Sequence, residues 1–314
     1  MNLQDNISDF EDLIEKTSEK WKLPSNAVRR DFYLVLMLRN LQNSEYSNCC
    51  VFKGGTSISK CYPSTINRFS EDIDLTYIPK DGSTDKMISK VLKKIEEAII
   101  QNANFSKNDN ERNDRNKSSD VWFENNNREG SRIKLEIGSS VKPEPYEKKV
   151  FKSYIHEYLE EENFLDVIEE YGLVKVKLNV LKIERTFIDK VFAVRRHALC
   201  GTLNRKVRHI YDVNKLLKRT EIQELLVDKK TLKEIIRKTK ETDSFYIQKR
   251  KSLVEYNAME PFGFSLWKHL FNEEIKKRYE TLHEDLLYSK EKQNFNEALE
   301  SFIEIDRIMG EIDE

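Results

Sequence analysis

Two short stretches hold the residues with the most chemistry in them. They are Phe52-Lys53-Gly54-Gly55-Thr56-Ser57-Ile58-Ser59-Lys60 and, a little further on, Arg68-Phe69-Ser70-Glu71-Asp72-Ile73-Asp74-Leu75. Gly54 and Gly55 read as a turn that opens onto Thr56 and Ser57, offering backbone N–H groups and hydroxyls to a phosphate. Asp72 and Asp74, read as part of a strand, put two carboxylates on one face, because side chains alternate with a period of two. Carboxylates side by side repel. A hard divalent cation relieves that repulsion and bridges to substrate phosphates, which predicts Mg²⁺ (or Mn²⁺) on Asp72 and Asp74. A phosphate cradle beside such a pair predicts phosphoryl or nucleotidyl transfer. The glycine turn is not a Walker A loop, since Gly-x-x-x-x-Gly-Lys-[Ser/Thr] is absent. The plain alternative is a pair of solvated acids on a strand. Asp is disfavoured inside strands and Glu71 adds a third charge, so the cluster calls for compensation.

The elements that must position these residues follow from periodicity. A helix is expected from Ser8 to Leu23, with Phe10, Leu13, Ile14 and Trp21 apolar, ending at Pro24. A second follows from Ser25, as N-cap, to about Leu41. Cys49 to Phe52 reads as a strand, with Cys49 and Cys50 as small buried residues, and Thr56 to Cys61 as the start of a helix. Ile73 to Ile78 continues the Asp-x-Asp strand up to Pro79. Lys86 to Gln101 is an amphipathic helix, with Met87, Val91, Ile95, Ala98 and Ile99 on its apolar face. Asn102 to Ser119 is dense in Asn, Asp, Lys and Arg and reads as a mobile surface loop. Val121–Phe123 and Arg132–Gly138 read as a hairpin, with Ile133, Leu135 and Ile137 on one face and Lys134 and Glu136 on the other. From Lys177 the pattern is almost wholly helical. The fold class is therefore α+β: a mixed sheet with flanking helices over residues 1–174 and a helical lobe over 175–314.

Composition sets the outer bounds. The chain has 314 residues, 54 basic against 55 acidic, and a formal net charge of −1, so no global field draws it to nucleic acid or membrane. No apolar run approaches a membrane span, no secretory signal is visible at Met1–Asn6, and the four cysteines lack metal-binding spacing. A cytoplasmic protein is expected. One local imbalance stands out: from Lys190 to Tyr211 there is no acid, while Arg195, Arg196, Arg205, Lys206 and Arg208 accumulate. That strip reads as facing phosphate, from NTP or an RNA backbone, or as a solvated turn. Lys190 lies at the edge of an apolar stripe of Val180, Ile183, Phe187, Val191, Val194 and Ala198. Taken alone it reads as a snorkelling lysine.

The two opening motifs together resemble the AbiEii/AbiGii toxin family, close to the MenT toxins, within the polymerase-β-type nucleotidyltransferase superfamily. Glu184 to Arg196 resembles the family's lysine helix, with Lys190 in the functional slot, and Arg208-His209-Ile210-Tyr211-Asp212-Val213 its later aspartate segment, with Asp212 as the key residue. The interval between the glycines and Asp-x-Asp is longer than the superfamily's general pattern. The resemblance implies a nucleotidyltransferase-type sheet, with Asp72, Asp74, Lys190 and Asp212 as catalytic residues in a cleft between two lobes. It implies Gly54, Gly55, Thr56, Ser57 and Lys190 on the NTP, to which the acid-free strip adds Arg195 and Arg196. Glu136 is the best positional match for a third carboxylate, against an ordinary exposed strand glutamate. The implied function is a toxin of a toxin–antitoxin or phage-defence pair, with a cognate antitoxin encoded nearby. It would transfer NMP from an NTP to an RNA acceptor, the tRNA 3′ end, and so block translation and growth. The rivals are transfer onto a protein side chain and a catalytically silent RNA- or protein-binding module.

Overall fold

In a computed structural model that describes residues 2–249, 256–288 and 291–313, the chain opens with two helices, α1 (Ile7–Trp21) and α2 (Ser25–Gln42). Ser25 is the first helical residue of α2 and not its cap; Pro24 holds that place without a side-chain bond. Pro24 has extended backbone there, φ −59° and ψ 137°, and the helix starts with the next residue. Seven strands follow: β1 (Cys50–Lys53), β2 (Asp72–Tyr77), β3 (Asn104–Lys107), β4 (Asn116–Trp122), β5 (Ile133–Gly138), β6 (Tyr146–Phe151) and β7 (Val176–Leu181). They form one sheet in the order β3-β4-β5-β2-β1-β7-β6. β2 runs antiparallel to β1 and parallel to β5, so the strand that carries Asp72 and Asp74 is central. Ile73 and Leu75 of β2, with Ile133, Leu135 and Ile137 of β5, are buried on one face, which commits the acids between them to the other. Helix α3 (Gly54–Cys61) leaves β1 directly, and α4 (Asp85–Ile100) supports the sheet.

Several expectations from sequence are corrected. Helix α3 begins at Gly54, so the two glycines are its first turn and not a separate loop. Cys49 sits half-buried in the turn before β1; only Cys50 is a buried strand residue. On α4 the buried stripe is Ile88, Leu92, Ile95 and Ile99, with Met87 exposed, one step round from the predicted face. Asn102–Ser119 is not a loop but β3, a short turn and the start of β4, with Lys117, Ser118 and Ser119 buried. Its polar groups satisfy one another: the Arg112 guanidinium forks onto Glu96 at 2.6 and 2.7 Å and also donates to Ser118 O and Ser119 Oγ. Val176–Leu181, expected to begin the helical half, is a strand parallel to β1, with the buried Asn179 donating to Cys50 O.

The chain divides into two compact units, Met1–Cys61 with Phe69–Val180, and Tyr62–Arg68 with Leu181–Glu314. The first thus runs past residue 174, and a short segment ahead of Asp72 goes with the second. That second unit is helical among its described residues, around Ile183–Leu199, Val207–Leu217, Lys229–Lys249 and Phe295–Asp313. Its core includes Phe262, Phe264, Trp267 and Phe302, all buried. Among the described residues no helix is long and apolar enough to cross a membrane.

Candidate active site

Strand register places the acids. Asp74 lies opposite Glu136 of β5 and Lys53 of β1, and Asp72 lies opposite Lys134. Neighbours across a ladder share a face, with Cβ atoms about 5 Å apart. Asp72, Asp74 and Glu136 therefore stand on one face of the sheet, all half-buried, as their period-two spacing requires. Lys134 shares that face and binds Glu136 Oε1 at 2.5 Å and Glu111 Oε2 at 2.7 Å. Burial alone would lower the Lys134 pKa; hydrogen bonds to Glu111 and Glu136 outweigh it and hold the ammonium charged. Glu71, next to Asp72, is paired with Arg30 of α2.

Gly54 has a reason to be glycine beyond the turn. Its φ is +85°, and a Cβ built there would fall 2.2 Å from Asp74 Oδ2. The absent side chain lets the head of α3 and the Asp74 carboxylate occupy adjoining space. Gly54→Ala is expected to cost roughly 1–2 kcal/mol from the positive φ, plus the displacement of the carboxylate. In urea denaturation, Gly54→Ala combined with Asp74→Ala should recover part of that loss. A double variant as unstable as Gly54→Ala would separate the carboxylate from Gly54.

Thr56 and Ser57 do not present their hydroxyls outward. Both are buried; Thr56 Oγ1 donates to Asp72 O at 2.6 Å, so the 2.9 Å contact with Ser70 Oγ has Ser70 as donor. Ser57 Oγ donates to Gly54 O at 3.0 Å. The Thr56 hydroxyl ties α3 to the start of β2, and the Ser57 hydroxyl closes the first turn of α3 on itself. What remains for a phosphate is the first turn of α3, whose N–H groups have no acceptor within the helix. Behind it, Lys60 is buried against Asp31 at 2.6 Å and over the Tyr154 ring at 4.1 Å, which fixes the far end of α3.

The donor set suits a hard divalent cation. Asp72 and Asp74 offer oxygen only, on one face, with Gly54 leaving room at Asp74. Among the described residues no three His, Cys, Asp or Glu side chains are gathered closely enough to hold a metal ion by themselves. Two carboxylates, completed by substrate phosphate and water, is the usual arrangement for Mg²⁺.

A second charged group lies wholly in the helical unit. Asp212 is fully buried and receives Arg68 Nε at 2.7 Å, Arg68 Nη2 at 2.8 Å and Lys190 Nζ at 2.7 Å. Lys190 does not snorkel; it is 6% exposed. Burial would raise the Asp212 pKa, but Arg68 and then Lys190 more than offset it and hold the carboxyl well below its ordinary range. Burial brings Lys190 below the usual lysine value; Asp212 pulls it upward, but the positive charge of Arg68 adds to the lowering. Arg195 and Arg196, expected on the NTP, have other partners within this unit. Arg195 is buried, donates to Asn257 O at 3.2 Å and reaches Glu260, while Arg196 pairs with Asp243. Sequence reading gave Arg68 and Lys134 no role. A single cation leaves no periodic trace; only Arg68 had a hint, in the acids Glu71, Asp72 and Asp74 that follow it.

The family model described as "Nucleotidyl transferase AbiEii toxin, Type IV TA system" matches residues 35–301. Among solved structures, the chain is similar to the MenT4 nucleotidyltransferase toxin Rv2826c from Mycobacterium tuberculosis H37Rv, at 18% identity and TM-score 0.48, over 95% of this chain and 98% of that one. JHP933 from Helicobacter pylori aligns at 18% identity and TM-score 0.42, over 93% and 95% respectively. No curated protein sequence matches significantly.

Proposed function

Because the chain belongs to the AbiEii nucleotidyltransferase toxin family of type IV toxin–antitoxin systems, we propose that it transfers NMP from an NTP to an RNA acceptor, the tRNA 3′ end, in the cytoplasm. The observation that carries this reading is the shared face of Asp72 and Asp74 on β2, with Gly54 at the head of α3 against the Asp74 carboxylate.

Asp72 and Asp74 would hold Mg²⁺ or Mn²⁺, which when bound supplies charge stabilisation at the phosphoryl oxygens. The first-turn N–H groups of α3, at Gly54 and Gly55, would receive the triphosphate, with Thr56 and Ser57 keeping that turn in place from below. Glu136 would take the proton of the acceptor hydroxyl as its oxygen attacks the α-phosphorus, and the bond to the β,γ-diphosphate breaks to release pyrophosphate. The role of a compact cation for the phosphates falls to Lys190 by the family resemblance alone; within the helical unit it is held by Asp212. Arg195 and Arg196 are left out of the phosphate set because of their partners within the helical unit.

The test is incubation with each α-³²P-labelled NTP in the presence of total RNA and of lysate protein. Label at RNA 3′ ends, blocked by prior periodate oxidation of the RNA, is expected. Label in protein would move the acceptor to a side chain, and no label in either would leave a binding module. Expression of the wild type is expected to slow bacterial growth and co-expression of a neighbouring antitoxin gene to restore it. Equal toxicity of wild type and Asp74→Ala would separate toxicity from transfer.

A further inference from the structure

The acid face carries its own cation. Lys134 stands opposite Asp72 in the ladder, two residues before Glu136, and its Nζ reaches Glu136 at 2.5 Å and Glu111 at 2.7 Å. Glu111 is not loosely placed. It sits in the short turn Asp109–Glu111 ahead of β4, and its Oε2 also accepts from Ser118 Oγ at 2.8 Å. Ser118 in turn faces Glu136 across the β4–β5 ladder. Lys134 is thus shared between a fixed acid, Glu111, and the acid that lies beside Asp74.

We propose that Lys134 is a positioning residue that keeps the Glu136 carboxylate paired, beside Asp74, until a divalent cation arrives, and that Glu111 is the acid that keeps Lys134 when Glu136 is released. This rests on the assignment of the metal to Asp72 and Asp74. The physics is competition for one carboxylate. An ammonium and a divalent cation both attract the Glu136 carboxylate, and two cations on one face of a sheet repel each other. Glu111 sets the balance: with it, Lys134 loses little by giving up Glu136; without it, Glu136 is the carboxylate Lys134 retains. The segment between β3 and β4 therefore tunes how much metal the site requires.

The test is Mn²⁺ binding to the full-length, NTP-free protein, followed by electron paramagnetic resonance of free Mn²⁺ and by calorimetry. Lys134→Met keeps the aliphatic stem and is expected to tighten Mn²⁺ about tenfold and to lower the metal concentration for half-maximal transfer. Glu111→Gln is expected to shift both the opposite way. Opposite signs would not arise from a merely structural role, and thermal melts of both variants show whether each is folded. Unchanged or weakened binding in Lys134→Met, or shifts of the same sign in the two variants, would overturn the proposal alone. Mn²⁺ binding that survives intact in Asp74→Ala would overturn the metal assignment and this proposal with it.

Discussion

Asp74→Ala is expected to lose at least about a hundredfold in nucleotidyl transfer while its unfolding midpoint stays close to the wild-type value. The two halves of that expectation come from one feature. Asp74 stands half-buried in the ladder between Glu136 of β5 and Lys53 of β1, on a face that also holds Asp72 and Lys134, and among the described residues it belongs to no buried ion pair of the kind Asp212 makes. Removing a half-buried carboxylate flanked by charges of both signs is expected to change stability little. What is lost is half of the carboxylate pair assigned to the metal. The measurement is transfer rate under saturating NTP beside a urea melt. Wild-type turnover would take Asp74 out of the site, and a large drop in stability would make it a structural acid.

Asp212→Ala is expected to behave in the contrary manner, falling by about 3–5 kcal/mol in stability. Two cations, Arg68 and Lys190, converge on that one fully buried carboxylate, and deleting it strands both in a medium that solvates them poorly. Lys190→Ala should cost much less, because Arg68 still satisfies Asp212 through two bonds. The pH dependence has a definite sign. The folded Asp212 carboxyl lies below its unfolded value of about 3.9, so its contribution is present above that pH and fades only as the solution is acidified further. Wild type and Asp212→Ala should therefore differ most near neutrality and converge below about pH 4. A loss under about 1 kcal/mol at neutral pH would mean that the cations find other partners when Asp212 is gone.

These contrasts mark how far sequence alone reaches. Period-two alternation put Asp72 and Asp74 together and set Glu136 opposite the apolar Ile133, Leu135 and Ile137; the ladder then brought Glu136 beside Asp74. Helical periodicity found α1, α2 and the buried face of Ile183–Leu199. It failed where polar residues satisfy one another. Asn102–Ser119 reads as solvated by composition, yet Glu96, Arg112 and Ser119 bury their charges and hydroxyl in mutual bonds, which no local pattern reveals. It failed likewise at Thr56 and Ser57, whose hydroxyl chemistry suits a phosphate but whose bonds run to Asp72 O and Gly54 O. Residue type told which groups were reactive; only the fold told which were already occupied.

The junction at Lys53 and Gly54 has a further consequence. The last strand residue of β1 is followed at once by the first helical residue of α3, with no connecting loop between them. Such a joint has no slack: adding or deleting one residue there would reverse the side on which Lys53 projects and rotate the head of α3 by about 100°. Length changes are therefore tolerable in the connection after β2, residues 78–84, and ruinous at this hinge-free splice, so the distance from strand to helix is set by covalent geometry and not by packing.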